Sequence, residues 1–153
     1  MGHDAPSQGR SLIPARVPLT PRATVVLDAW AVLAMLNDEP AAERVEQAVT
    51  ENNGVISWIN LGEVLYRAIR SRGERKAMAA MRAVGRRLRV EDIDEGLVID
   101  AARLKAAHRL SYADAFCVST AQRHQAPLYT GDPEILALTD MIELVDIRPA
   151  PAP

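Results

Sequence analysis

Residues 23–30, Ala-Thr-Val-Val-Leu-Asp-Ala-Trp, constrain the fold more than any other stretch. β-formers and small apolar residues run straight into a carboxylate at Asp28. Residues 29–36 are then apolar helix formers with no Gly or Pro. An apolar run of this length, with no polar alternation, reads as a short buried strand, and the change of pattern after it marks a helix. Strands buried on both faces belong to parallel sheets. In open parallel sheets, ligands bind outside the carboxyl ends of the strands. Asp28 is expected there, and the remaining question is whether other acids join it.

The same strand-to-helix rhythm recurs along the chain. After the first helix, Asn37-Asp-Glu-Pro40 reads as a stop and a capped restart with Pro in the first turn. A second helix runs to about Thr50. Asn52-Asn-Gly54 is a predicted turn and Val55-Ile-Ser-Trp58 a second strand. Asn60 is expected to open a third helix that Gly73 closes. A fourth helix spans about 74–84, followed by a short strand at 88–90. Asp92 or Asp94 caps a fifth helix whose inner face is Leu97, Ala101, Leu104 and His108. Ser111 opens a sixth helix. Residues 127–130 form a fourth strand, Gly131-Asp-Pro133 leads into a short helix ending near Leu138, and 142–145 form the fifth strand. Strands alternating with helices predict an α/β fold, a three-layer α/β/α sandwich with a central, mostly parallel five-stranded sheet.

A chain of 153 residues with 48% hydrophobic and 25% charged residues suits one globular domain. Residues 1–22 carry Pro6, Pro14, Pro18 and Pro21, which predicts a flexible tail; residues 23–148 form the domain and 149–153 a second Pro-rich tail. No signal peptide or membrane span is expected, because the prolines interrupt any apolar N-terminal run. The single cysteine, Cys117, fits a reducing, cytoplasmic setting and reads as a buried small hydrophobe. Aromatics at 4% predict that base stacking does not dominate any nucleic-acid contact.

Four acids stand at element junctions: Asp28 after the first strand, Glu63 in the first turn of the third helix, Asp114 in the first turn of the sixth, and Asp132 after the fourth strand. Each also fits an ordinary cap. Asn60-x-x-Glu63 and Ser111-x-x-Asp114 have capping-box spacing, and Asp132-Pro133 is a cap with Pro at the first helical position. In a doubly wound sheet, however, all four reach one rim. Crowded carboxylates repel unless protonated or bridged by cations. Oxygen ligands alone suit Mg²⁺ or Mn²⁺. His3, His108 and His124 lack metal-ligand spacing, so zinc is not expected; His124 sits where a cation favours the helix dipole. Divalent ions held by acids activate water and stabilise the leaving oxygen of a phosphodiester. No Gly-rich phosphate loop is present.

The spaced segments Val26-Leu-Asp28-Ala-Trp-Ala, Asn60-Leu-Gly-Glu63-Val, Ser111-Tyr-Ala-Asp114-Ala-Phe and Leu128-Tyr-Thr-Gly-Asp132 resemble a PIN domain, and most of all the toxins of bacterial VapBC toxin–antitoxin pairs. The resemblance covers residues 23–147. It implies a Mg²⁺- or Mn²⁺-dependent endoribonuclease, the toxin of a type II toxin–antitoxin system, inhibited by a small antitoxin and commonly homodimeric. It makes Asp28, Glu63, Asp114 and Asp132 the catalytic acids, with Asp28, Asp114 and Asp132 as metal ligands and Thr130 as a hydroxyl that orients them. Relatives often carry Ser, Thr or Asn after the first Asp. This chain has Ala29 and Trp30, which leaves Thr130 as the support of Asp28.

Arg67, Arg70, Arg72, Arg75, Lys76, Arg82, Arg86, Arg87 and Arg89 hold half of the chain's 18 Lys and Arg, with Glu74 the only acid among them. Arginine forks suit phosphate. A positive rim that steers RNA is expected, with Arg82, Arg86 and Arg87 touching the strand, or else a dock for an acidic antitoxin segment. Two rival readings are a receiver-like Mg²⁺-binding signalling domain and a non-catalytic PIN-fold interaction domain. The first wants paired acids after the first strand and a lysine after the last; Asp28-Ala29 and Asp146-Ile147-Arg148 supply neither.

Overall fold

The computed structural model describes residues 22–150, so residues 1–21 and 151–153 of the two expected tails lie outside the described residues. The elements in order are β1 Thr24–Leu27, α1 Ala29–Leu36, α2 Ala42–Glu51, β2 Asn53–Ser57, α3 Trp58–Arg72, α4 Glu74–Gly85, β3 Arg89–Glu91, α5 Glu95–Ala107, α6 Tyr112–His124, β4 Leu128–Thr130, α7 Pro133–Leu136 and β5 Leu144–Asp146.

One five-stranded sheet runs β3-β2-β1-β4-β5. Every pairing is parallel, because a helix intervenes between every two successive strands. The chain builds outward from β1 through β2 to β3, then returns to place β4 on the other side of β1. The switch point therefore lies between β1 and β4, at the end of β1 where Asp28 begins.

The pleat divides the core in two. Val26, Val55 and Leu128 face Leu97, Leu104, Phe116 and Val118 of α5 and α6. Leu27 and Ile56 face Val32, Val45, Leu61, Val64 and Val84 of α1–α4. Helices thus cover both faces, which makes the fold a three-layer α/β/α sandwich. Leu27, Ile56, Leu61, Leu97 and Leu128 are among the largest fully buried side chains, each contributing about 1.5–3 kcal/mol of transfer free energy.

Three local expectations are corrected. The third helix opens at Trp58 with Ser57 as its cap, since the Ser57 hydroxyl accepts from the Asn60 amide at 3.1 Å. Asn60 is therefore inside the helix, Trp58 is not in a strand, and Glu63 lies in the second turn. Asn53 and Gly54 belong to β2 rather than to a turn, because Asn53 and Gly54 pair with Thr24 and Val25. Pro40 precedes α2 instead of sitting in its first turn, and Ala41 makes no side-chain cap bond there. Asp94 caps α5, accepting from Leu97 N at 2.8 Å, while Asp92 accepts from Trp58 Nε1 at 3.0 Å. His108 terminates α5 half-buried. At Gly73, φ is 81°, a left-handed value that lets α3 end and α4 begin on one residue.

Candidate active site

Asp28 is 3% exposed at the junction of β1 and α1. Its Oδ1 accepts from Ala31 N at 2.7 Å, the N-cap bond of α1. Its Oδ2 accepts from the hydroxyl of Thr130, which is fully buried at the end of β4. Thr130 Oγ1 in turn accepts from Asp132 N at 3.0 Å. A hydroxyl donates once, so that donation goes to Asp28, and both oxygens of Asp28 are tied to neighbouring elements.

Asp132 caps α7, accepting from Glu134 N at 2.7 Å and from Ile135 N at 3.3 Å. Between Thr130 and Asp132 stands Gly131. A Cβ on Gly131 would meet the Trp30 ring at 2.7 Å, so the indole lies directly on this turn. Trp30 thereby occupies the place next to Asp28 and packs the β4 turn against α1.

Asp114 forms a capping box with Ser111. Its amide donates to the Ser111 hydroxyl at 3.0 Å, and its Oδ2 accepts from Ser111 N at 3.2 Å and from Ser111 Oγ at 2.5 Å. Glu63 projects from α3 and pairs with Arg67 Nη2 at 3.2 Å, one helical turn on. The two helices are joined beside these acids by Asn60, which is 1% exposed. Its Nδ2 donates to Ala113 O at 2.9 Å, and its Oδ1 accepts from the Ser57 hydroxyl at 2.5 Å.

The four carboxylates share one field. Burial pushes Asp28 up to about 7; its bonds to Thr130 and Ala31 oppose this, and the charges of Asp114 and Asp132 add to it. Burial also raises Glu63, against Arg67 and with Asp114 and Asp132, and raises Asp114, against Ser111 and with Asp132. Cys117, below them in α6, is driven well up by its own burial and then by all four acids. Its thiol is no nucleophile.

Among the described residues, no three His, Cys, Asp or Glu side chains close into a ready-made metal-ligand set. Asp28 and Asp132 each cap a helix, Asp114 closes the capping box of Ser111, and Glu63 is engaged by Arg67. The donor chemistry nevertheless fits a hard divalent cation: the groups are carboxylates, three with raised pKa, in a common field that a cation would relieve.

The PIN domain family description matches residues 25–140. The chain belongs to the PIN-domain family. Comparison with curated protein sequences gives no match. Among solved structures, the fold is similar to VapBC from Salmonella typhimurium bound to DNA, at 20% identity and TM-score 0.66, covering 82% of this chain and 99% of that one. VapBC2 from Rickettsia felis, bound to a DNA fragment from its promoter, gives 18%, 0.66, 80% and 98% in the same order. VapC20 from Mycobacterium tuberculosis, a toxin that cleaves the Sarcin-Ricin loop, gives 18%, 0.64, 78% and 97%. At these identities the likeness is one of fold.

The basic stretch of this PIN domain is divided by its partners. Arg87 makes a two-pronged contact with Glu46, at 2.9 Å for Nη1–Oε1, and Arg89 pairs with Glu91 at 3.2 Å. Arg70, Arg75, Lys76, Arg82 and Arg86 make no ion pair among the described residues. His124 meets Glu91 at 3.0 Å beside Arg123, at the opposite end of α6 from Asp114. Sequence reasoning missed Asn60 as a tie between helices, the Trp30–Gly131 contact and the Glu63–Arg67 pair. Only the last had a local signal, an acid and an arginine four residues apart.

Proposed function

We propose that this PIN domain is a Mg²⁺- or Mn²⁺-dependent endoribonuclease of the cytoplasm and the toxin of a type II toxin–antitoxin pair. The observation that carries the reading is the buried Asp28 at the β1–β4 switch point, held by Thr130 and sharing its field with Asp114 and Asp132. PIN domains generally depend on a divalent metal. The solved VapBC assemblies of similar fold, and a VapC toxin that cleaves the Sarcin-Ricin loop, support the pairing with an antitoxin and a nuclease activity.

Asp28, Asp114 and Asp132 would hold the ion. Bound there, it supplies Lewis acidity toward the phosphodiester and lowers the pKa of water. Thr130 and Ala31 fix the plane of the Asp28 carboxylate. Asn60 keeps the α3 side of the cleft against the α6 side, and so Glu63 against Asp114. Glu63, paired with Arg67 on the α3 side of the cleft, is the fourth catalytic acid of this reading. No protein nucleophile is needed. Arg82 and Arg86 are exposed and draw the polyanion in. A second copy is proposed to cover Trp58 and Ile59 of α3 and Val98 and Ile99 of α5, which are between 38% and 48% exposed.

The test is RNA cleavage by purified protein with Mg²⁺ or Mn²⁺. Cleavage should stop on chelation and should be abolished in Asp28→Asn and Asp114→Asn proteins that melt as folded domains. Cleavage at wild-type rates in either variant would remove the assignment. A folded protein that cleaves no RNA with either metal would leave a non-catalytic interaction domain.

A further inference from the structure

On the α5–α6 face of the sheet, two adjoining cavities form a groove over the outer side of α6. One, of about 310 Å³, is lined by Gln122, Gln125, Ala126, Met141, Ile142 and Glu143. The next, of about 320 Å³, shares Gln122 and Met141 and adds Asp100, Arg103, Leu104 and Ala107 of α5. Leu104 and Ala126 are buried, and Met141 and Ile142 are half-buried, so the floor and one wall are apolar. Charges stand on the rims. Glu143 makes no ion pair among the described residues, and Asp100 meets Arg103 at 3.4 Å.

The chain enters the domain at the Gln125–Ala126 end of this groove. β1 and β4 run parallel with Val26 opposite Leu128. The same register carried back two residues sets Thr24 beside Ala126, about 5 Å away. Residues 20–22 then suffice to link Leu19 to that end, since three residues of extended chain reach roughly 10 Å. Residues 11–19, which lie outside the described residues, read Ser-Leu-Ile-Pro-Ala-Arg-Val-Pro-Leu. They hold Leu12, Ile13, Val17 and Leu19 with Arg16 and no acid. Pro14 and Pro18 favour an extended chain, which has less entropy to lose on docking. Eight steps of such a chain span roughly 25 Å. The flanking stretch of α5 from Asp100 to Ala107 is roughly 10 Å long, so the segment is long enough to line the groove.

A second folded copy fits this place less well. A standard interface takes about 800 Å² from each partner and has an apolar centre. The exposed large apolar side chains among the described residues lie on α3, near the start of α5 and at Tyr112, and none of them lines the groove.

We infer that the chain's own residues 11–19 dock in the groove between α5 and residues 141–143, with their apolar side chains on Leu104, Met141 and Ile142 and with Arg16 paired to Glu143. The segment is a strap that ties α5 and α6 to the stretch before β5, at the opposite end of α6 from Asp114. The inference does not depend on the nuclease reading.

The test uses the full chain with Ala15→Cys carrying a nitroxide label; Cys117 is buried and stays unlabelled. The backbone amides of Leu104, Gln122 and Met141 should broaden and should recover when the label is reduced. In the unlabelled chain, trypsin should cut Arg16–Val17 about tenfold or more slower in wild type than in Met141→Glu or Glu143→Arg. Cleavage tracks the undocked population, and tenfold is about 1.4 kcal/mol of docking. Glu143 is exposed, so its variant tests the strap without touching the core, and thermal melting checks both variants. If no groove amide responds and Arg16–Val17 is cut equally fast in all three proteins, the strap does not dock and the inference is overturned. Broadening centred on another face overturns it too. If broadening appears only on isotope-labelled copies mixed with spin-labelled ones, the groove holds a neighbour's segment, and docking within one chain is overturned.

Discussion

The Thr130 hydroxyl donates to Asp28 across the parallel pair of β1 and β4, between residues 102 positions apart. The same oxygen accepts from the Asp132 amide, so one buried atom aligns two of the acids. Thr130→Val keeps the shape and removes both bonds. It should cost about 1–3 kcal/mol, the penalty of stranding buried polar groups. It should also move Asp28 further above its present value of about 7, because a bond that lowers the pKa is gone. Denaturant melts and carboxyl NMR titration read the two effects, and an unchanged Asp28 titration would show that Thr130 does not tune it.

Asp28 should also make the protein less stable as pH rises. Its value is about 7 in the folded chain against an ordinary 3.8. Between these pH values the folded state binds more protons than the unfolded state, so unfolding free energy falls with rising pH. The stabilising contribution is whole below about pH 4 and gone above pH 7, on the order of 4 kcal/mol. Glu63 and Asp114 are raised too and act with the same sign. The ion-paired Glu91, whose value is lowered, acts oppositely and loses its contribution as acid protonates it. Asp28→Asn should flatten the curve between pH 4 and 7 and stabilise the protein at pH 8. Urea midpoints across that range decide it; parallel curves for the two proteins would mean that Asp28 is ionised throughout.

Mg²⁺ at a hundredfold excess over its dissociation constant should stabilise the folded chain by about 2.7 kcal/mol. At a fixed Mg²⁺ concentration the gain should be larger at pH 8 than at pH 6, since protons compete for Asp28. Asp114→Asn should raise stability in EDTA and shrink the Mg²⁺ gain. No gain from Mg²⁺ in wild type, together with a less stable variant in EDTA, would make Asp114 a cap alone.

Gly131→Ala should destabilise by about 1–3 kcal/mol, because its Cβ would enter the Trp30 ring. Trp30→Leu should relieve much of that clash, leaving the double variant more stable than the sum of the two single losses predicts. Additive losses in a double-mutant cycle would show that ring and glycine do not touch.

Replacing Arg82 and Arg86 with Ala should weaken RNA binding at low salt. It should flatten the salt dependence by about 0.7 for each phosphate that the protein no longer neutralises. Arg87→Ala should instead lower stability, because it leaves Glu46 unpaired. A normal slope in the Arg82 and Arg86 variant would assign these cations to solubility or to a protein partner.

Local pattern carried most of the architecture. Apolar runs before Asp28 and Asp132, and capping residues such as Ser111, mark strand-to-helix junctions within a few residues, so fold class and the junction positions of Asp28, Asp114 and Asp132 were legible, while Glu63 lies one turn deeper in its helix than expected. Helix boundaries were less so: Asn60 was expected to open the third helix, whereas the Ser57 hydroxyl takes the Asn60 amide and the helix opens at Trp58. What only the tertiary structure decided is how the acids are held. Thr130 on Asp28, Asn60 on Ala113 and Trp30 on Gly131 join residues 53 to about a hundred positions apart. Such pairings leave no periodicity in the chain. They arise when the parallel sheet sets β4 beside β1 and packs α6 against α3, and the field that lifts Asp28 to about 7 exists only once burial and that convergence coincide.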